Sequence, residues 1–120
     1  MHEMGMAYSV ISTVRAETRR CHGQPPRKVG LRIGELAAVD PEALRFCFEA
    51  LTRGTELEPL ELEIEIRPRR QRCRDCGVEF DVKNYDLACP QCRGLDSECI
   101  GGDELEIVYL EVEEHEPSPA

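Results

Sequence analysis

From Ala7 the apolar or small positions fall at Ala7, Val10, Ile11, Val14, Thr18 and Cys21, the i, i+3, i+4, i+7 spacing of one helix face, which predicts a helix from about Glu3 to Arg20. Arg19, Arg20 and His22 suit the negative end of its dipole, and Gly23 with Pro25-Pro26 supplies the stop. The period then changes. Val29, Leu31 and Ile33 alternate with Lys28, Gly30 and Arg32, so Lys28 to Gly34 reads as a strand. Asp40 as N-cap and Pro41 at the first helical position open a second helix, carried by Leu44, Cys47, Phe48 and Leu51 and closed before Gly54. Leu60, Leu62, Ile64 and Ile66 alternate with Glu61, Glu63 and Glu65 in the cleanest half-buried strand pattern of the chain. Those glutamates can face Lys28 and Arg32 across a sheet. A third β-like run spans Leu105 to Val112, and the acidic, proline-bearing residues 114–120, with nothing to bury, read as a disordered tail.

The order is helix, strand, helix, strand, cysteine-rich insert, strand. It predicts an α+β fold in which a three-stranded sheet carries two helices on one face, with a small subdomain inserted before the last strand. The expected division is residues 1–66 with 101–113 for the α/β domain and 67–100 for the insert. At 120 residues, with 41% hydrophobic content and no Trp, only a modest core can form and a large enzyme cleft is not expected.

Charge alters this picture by its distribution. The net charge is −9, with −3 in residues 1–66, +3 in residues 67–95 and −9 in residues 96–120. A generally acidic chain is a poor nucleic-acid binder, because phosphate neutralisation supplies most non-specific affinity, yet it suits the handling of cations. No apolar run approaches the roughly 20 residues that span a bilayer, and no basic-then-apolar leader opens the chain, so a soluble, cytoplasmic protein is expected.

Seven cysteines could indicate an oxidised scaffold, but their odd number and their spacing favour reduced thiols. Cys73-Arg74-Asp75-Cys76-Gly77 and Cys89-Pro90-Gln91-Cys92 are separated by twelve residues. A two-residue gap lets both sulfurs of a turn reach one ion, and two such turns complete a tetrahedron, the arrangement of a zinc ribbon. Disulfides and simple packing are the bland alternatives; thioredoxin-like redox chemistry would need one such pair at a helix N-terminus. Four sulfurs leave no place for water, so the zinc is expected to be structural. An insert this small must draw much of its folding free energy from the metal. Arg67, Arg69, Arg70, Arg72 and Arg74 lie just upstream, where they are expected to offset the formal −2 of a tetrathiolate site. Cys21 and Cys47 sit on apolar helix faces as core residues, and Cys99 follows the second knuckle without a ligand signal.

Met1-His2-Glu3 carries a second metal chemistry. The terminal amine of Met1, the amide nitrogen of His2 and its imidazole Nδ1 can close two adjacent small rings around one ion, and a planar nitrogen set favours Ni²⁺ or Cu²⁺ over zinc. Glu3 is placed as ligand or supporting acceptor, offsetting a cation beside the positive end of a helix. From three residues alone, an exposed histidine without a ligand role is the plainer reading.

Together, Met1-His2-Glu3, the helix–strand–helix segment, the pairs Cys73/Cys76 and Cys89/Cys92, and the closing Gly102-Asp103-Glu104-Leu105-Glu106-Ile107 resemble the HypA/HybF hydrogenase maturation family over residues 1 to about 113. The resemblance implies a nickel metallochaperone for NiFe hydrogenase, in some organisms also for urease. Its partners would be a maturation GTPase and the hydrogenase large subunit. It also implies nickel as cargo at Met1, His2 and Glu3, structural zinc on Cys73, Cys76, Cys89 and Cys92, and a ribbon inserted before the last strand. Arg93 stands where the family commonly has Gly, with Gly94 one place later, and no histidine lies between His22 and His115 to join the zinc site as in some members. The competing reading is a zinc-ribbon module for nucleic acid or protein, supported by the arginine run. An enzyme is not expected, because no nucleophile–base pair or open metal position is evident.

Overall fold

The computed structural model describes residues 2–113; the tail expected over 114–120 lies outside the described residues, as does Met1. Helix α1 (His2–Arg20) buries Ala7, Val10, Ile11 and Val14, the stripe seen in the sequence. It ends in two left-handed residues, His22 (φ 60) and Gly23 (φ 73), with the Gly23 N–H donating to the Thr18 carbonyl at 2.9 Å. This six-to-one closure satisfies a carbonyl that the helix end leaves orphaned. Helix α2 (Pro41–Thr52) opens on Asp40, whose carboxylate accepts the N–H groups of Glu42 and Ala43 at 3.0 and 3.4 Å, and buries Leu44, Cys47 and Phe48. Cys47 is a core residue, as expected.

Strands β1 (Pro26–Gly34), β2 (Glu61–Arg67) and β6 (Leu105–Val112) form one sheet in the order β2-β1-β6. The alternation of β1 places Val29 and Leu31 in the core, where Leu57 and Leu60 are also buried, while α1 and α2 pack on each other as the two helices of the layer. Its polar side carries the expected cross-strand pairs, Lys28 with Glu61 and Glu63, and Arg32 with Glu65 and Glu106. β2 itself is drier in pattern than in fact. Leu62 and Ile64 are only half-buried and Ile66 is 44% exposed, because the strand lies at the sheet edge, where its apolar side is incompletely covered.

The insert has more regular structure than its turn-rich sequence suggests. β3 (Arg70–Cys73) pairs antiparallel with β4 (Glu79–Asp81) on one side and with β5 (Ser97–Gly101) on the other, giving a second three-stranded sheet in the order β4-β3-β5. These strands are three to five residues long, too short to show a period, so they escape a pattern reading. By contacts the chain divides into two units. One comprises Met1–Leu31, Val39–Ile64 and Ile107–Ala120, and the other Arg32–Ala38 and Glu65–Glu106.

Candidate metal centres

The ribbon's two knuckles converge on four sulfurs. β3 delivers Cys73 at its last position, and the tight turn after it returns Cys76, with the Gly77 N–H donating to the Cys73 carbonyl at 2.9 Å. The second knuckle repeats the device: the Arg93 N–H donates to the Cys89 carbonyl at 2.8 Å. The Sγ atoms of Cys73, Cys76, Cys89 and Cys92 all lie within 4.8 Å of one another. The closest pairs are Cys73–Cys92 at 3.6 Å and Cys76–Cys89 at 3.5 Å. All seven cysteines are free thiols. A tetrahedron of Zn–S bonds near 2.3 Å has S···S edges of about 3.8 Å, so the cluster fits a four-thiolate ion with little adjustment.

Burial divides the cluster, with Cys73 and Cys89 inside and Cys76 and Cys92 at the surface. Burial works to raise the Cys89 thiol, yet the N–H groups of Cys92 and Gln91 and the neighbouring sulfurs outweigh it and bring the thiol down to about 7. At Cys92 the Gly94 N–H favours the thiolate. Hydrogen bonding with Cys73, burial and the other two sulfurs prevail, and the thiol is pushed up to about 12. Four sulfurs this close do not hold four negative charges near neutral pH without a cation among them. Binding a dication must therefore expel protons.

The upstream arginines do not face the sulfurs. Arg70 pairs with Asp81 and Glu79, Arg72 with Glu79 and Glu98, and Arg74 with Asp96 and Glu98, while Arg67 pairs with Glu65 and Arg69 Nε donates to Gln71. The expectation that this run offsets the thiolate charge is corrected here. Along β3 the side chains alternate, so Arg70 and Arg72 meet carboxylates of β4 and β5 while Gln71 and Cys73 turn inward. The same pairing removes the free cationic patch a phosphate backbone would need. Cys99 stands outside the cluster on β5, its thiol 3.3 Å from the Gly101 carbonyl.

The two knuckles differ in one residue of consequence. The position after the second cysteine is left-handed in both, with Gly77 at φ 81 and Arg93 at φ 63. Gly94 cannot be moved into that role by a simple exchange, since a Cβ there would lie 2.7 Å from the Asp75 carboxylate and 3.3 Å from the Cys92 sulfur. A side chain in this conformation costs about 1–2 kcal/mol, and the exposed Arg93–Asp86 pair at 3.8 Å returns little of it. Arg93→Gly is expected to stabilise the ribbon by about 1 kcal/mol, after allowing for the greater freedom of glycine in the unfolded chain. A later onset of ribbon opening in a chelator titration checks this.

At the other end of the chain, His2 and Glu3 open α1. His2 Nε2 lies 2.8 Å from Glu3 Oε2, with the imidazole 57% exposed and the Glu3 side chain only 11% exposed. The His2 N–H is among the first four of the helix, which have no carbonyl partner within it. Among the described residues neither the His2 amide nor its ring Nδ1 makes a hydrogen bond. Met1, the remaining member of the expected set, lies outside the described residues.

Comparisons with known proteins show the family. The HypA family model, described as a hydrogenase/urease nickel incorporation metallochaperone, matches residues 1–112. The hydrogenase maturation factor HypA of Geotalea uraniireducens is 42% identical over 113 residues, covering 94% of this chain and all of the relative. That of Desulfitobacterium hafniense is 40% identical over 114 residues, covering 95% and 100%. Among solved structures, the solution structure of the nickel metallochaperone HypA from Helicobacter pylori superposes with a TM-score of 0.62 at 23% identity, over 93% of this chain and 97% of that one. Another solution structure of a HypA protein gives 0.67 at 22% identity, over 93% and 96%.

Proposed function

The chain belongs to the HypA family of nickel-incorporation metallochaperones for hydrogenase maturation, and from that premise we propose that it carries Ni²⁺ on Met1, His2 and Glu3 and holds structural zinc on Cys73, Cys76, Cys89 and Cys92. The observation that carries the nickel reading is the place of His2 at the start of α1, with its amide among the N–H groups that lack a helical partner, its imidazole exposed and the Glu3 carboxylate 2.8 Å from the ring. A planar set of amine, amide and imidazole nitrogens prefers nickel to zinc, whereas the four-sulfur cluster prefers zinc and has no open position. The two metals thus have separate donor sets. In this division, residues 1–66 and 101–113 form the nickel domain and 67–100 the zinc ribbon.

The finer reading is cytoplasmic delivery to the large subunit of NiFe hydrogenase with a maturation GTPase as partner, and urease as a second destination in the same chemistry. No helix among the described residues is long and apolar enough to cross a membrane. The nucleic-acid alternative loses its support with the pairing of Arg70, Arg72 and Arg74. The test mixes nickel-loaded chain with the purified large-subunit precursor and counts nickel on each after separation. Nickel moving to the precursor faster than from free nickel buffered at the same activity is the expected result; no difference between the two would sink the delivery role.

A further inference from the structure

The tip of the ribbon holds a tyrosine in a conformation that nothing in its own chain stabilises. Lys83 and Asp86 are bridged as antiparallel partners, with the Asp86 N–H donating to the Lys83 carbonyl at 3.0 Å, so Asn84 and Tyr85 are the central pair of a tight hairpin turn. Both are left-handed, Asn84 at φ 52 and Tyr85 at φ 62. Asparagine tolerates this, but the second position is ordinarily glycine, and a bulky aromatic residue there is a steric outlier. Tyr85 is 99% exposed, so no packing within the chain offsets the strain. Strained residues persist where function retains them, and an exposed Tyr on a short turn is the kind of side chain that anchors interfaces. Two cations stand beside it without close partners. Lys83 makes no ion pair among the described residues, and Arg93 reaches Asp86 only at 3.8 Å.

The helical unit carries a surface of the opposite character. Between α2 and the chain leading into β2 lies a groove of about 680 Å³, within the range of roughly 300–1,000 Å³ over which pockets take ligands. Phe48, Leu60 and Leu62 supply its apolar floor, and the exposed Glu49, Glu58 and Glu61 stand at its rim. Glu49 and Glu58 make no ion pair among the described residues, and Glu61 reaches Lys28 only at 3.9 Å. Two arginines also line the groove, so it is acidic by formal count, and one of them, Arg45, is half-buried and donates to the Leu62 carbonyl at 2.6 Å. Arg53 is the one cation left among the three rim carboxylates.

We propose that the ribbon tip of one copy of this chain seats in the groove of a second copy, with Tyr85 on the floor of Phe48, Leu60 and Leu62, and Lys83 and Arg93 against the rim carboxylates. Complementarity selects this occupant. The tip offers an aromatic ring flanked by two cations, and the groove offers an apolar floor edged by carboxylates, so one chain carries both halves of the contact. Seating the ring removes its apolar surface from water, which offsets part of the strain in the turn. The charge pairs at the rim stay close to solvent, so they fix partner and orientation more than strength. Single-stranded nucleic acid would also stack on Tyr85, but two cations on a chain of net −9 neutralise few phosphates. The contact does not depend on the nickel reading. It does need the ribbon folded, and so the zinc in place.

The test is sedimentation of the zinc-loaded, full-length chain over a range of concentrations. The mass is expected to rise above that of one copy as the concentration approaches about 1 mM, and to fall back with added salt. Tyr85→Gly is expected to weaken association about tenfold or more, while making the ribbon harder to open with chelator, because the strain is relieved. These opposite signs separate docking from folding. Lys83→Glu and Glu58→Lys, both at exposed positions, should each weaken association by setting like charges across the rim. An equimolar mixture of the two variants should restore it, because tip and groove are then again of opposite charge. A chain that stays monomeric at about 1 mM overturns the proposal. So does association unchanged in Tyr85→Gly, or a mixture no stronger than either variant alone, since the copies then meet elsewhere. Tyr85-dependent capture of a labelled single-stranded oligonucleotide at physiological salt, by a chain that remains monomeric, overturns it in favour of nucleic acid.

Discussion

Cys73→Ala or Cys89→Ala, or removal of metal by a strong chelator under reducing conditions, is expected to unfold the ribbon and leave the helical unit folded. The reason lies in what each unit buries. The ribbon's apolar interior consists of Cys73, Phe80 and Cys89, with Val78 and Val82 packed against them, so two of its three buried members are sulfur donors. Burial of one aromatic ring and two valines contributes a few kcal/mol, whereas a structural zinc in small ribbons contributes on the order of 10–16 kcal/mol. The metal therefore decides. Ala7, Val10, Ile11, Val14, Leu44, Cys47, Phe48, Leu57 and Leu60 make a core that holds no ligand, and it should survive the loss of zinc. Because the Cys92 thiol is pushed up to about 12 in the absence of a cation, zinc binding must release protons, and affinity must rise with pH and fall on acidification. Hydrogen exchange resolved along the chain checks the first claim: residues 70–95 should lose protection while α1 and α2 keep theirs. A reduced, zinc-free protein with residues 70–95 still protected would refute it.

How much of this was legible beforehand depended on period and spacing. The helices and the three strands of the larger sheet announce themselves over seven or more residues, enough for a repeat of 3.6 or 2 to show. The Asp40-Pro41 start was readable because capping is a local bond between a named side chain and the backbone. The cysteine cluster was readable for the same reason, since two turns of fixed spacing admit one tetrahedral solution. The short strands of the ribbon were not, and with them went the fate of the arginines. Whether Arg72 faces a sulfur or Glu79 and Glu98 is decided by strand register, which composition does not encode. Nor does a sequence show that Tyr85 and Arg93 take left-handed conformations; a glycine would have announced such a turn, and neither position has one.

Acetylating the Met1 amine is expected to abolish tight nickel binding as completely as His2→Ala, while leaving zinc content and fold unchanged. The proposed chelate needs the Met1 nitrogen as an amine; acetylation converts it to an amide with no terminal amine beside it to anchor the metal, and removes the first of three donors. Nothing in the fold compensates for that loss. The His2 amide lies at the free end of α1 and its imidazole is exposed, but two nitrogens alone close one ring and leave half the plane to water. Glu3→Gln tests the other half of the argument. A glutamine keeps the size and shape of the side chain beside the imidazole, but the negative charge that offsets a cation beside the helix N-terminus is gone. Its effect should be a partial loss, about tenfold, against a loss too large to measure for His2→Ala. Nickel binding that expels protons must also weaken as the solution is acidified. Calorimetry on acetylated and unmodified protein decides between chelates. Equal affinity in the two excludes the terminal amine, and a site that then fails only in His2→Ala is an imidazole site completed by other residues.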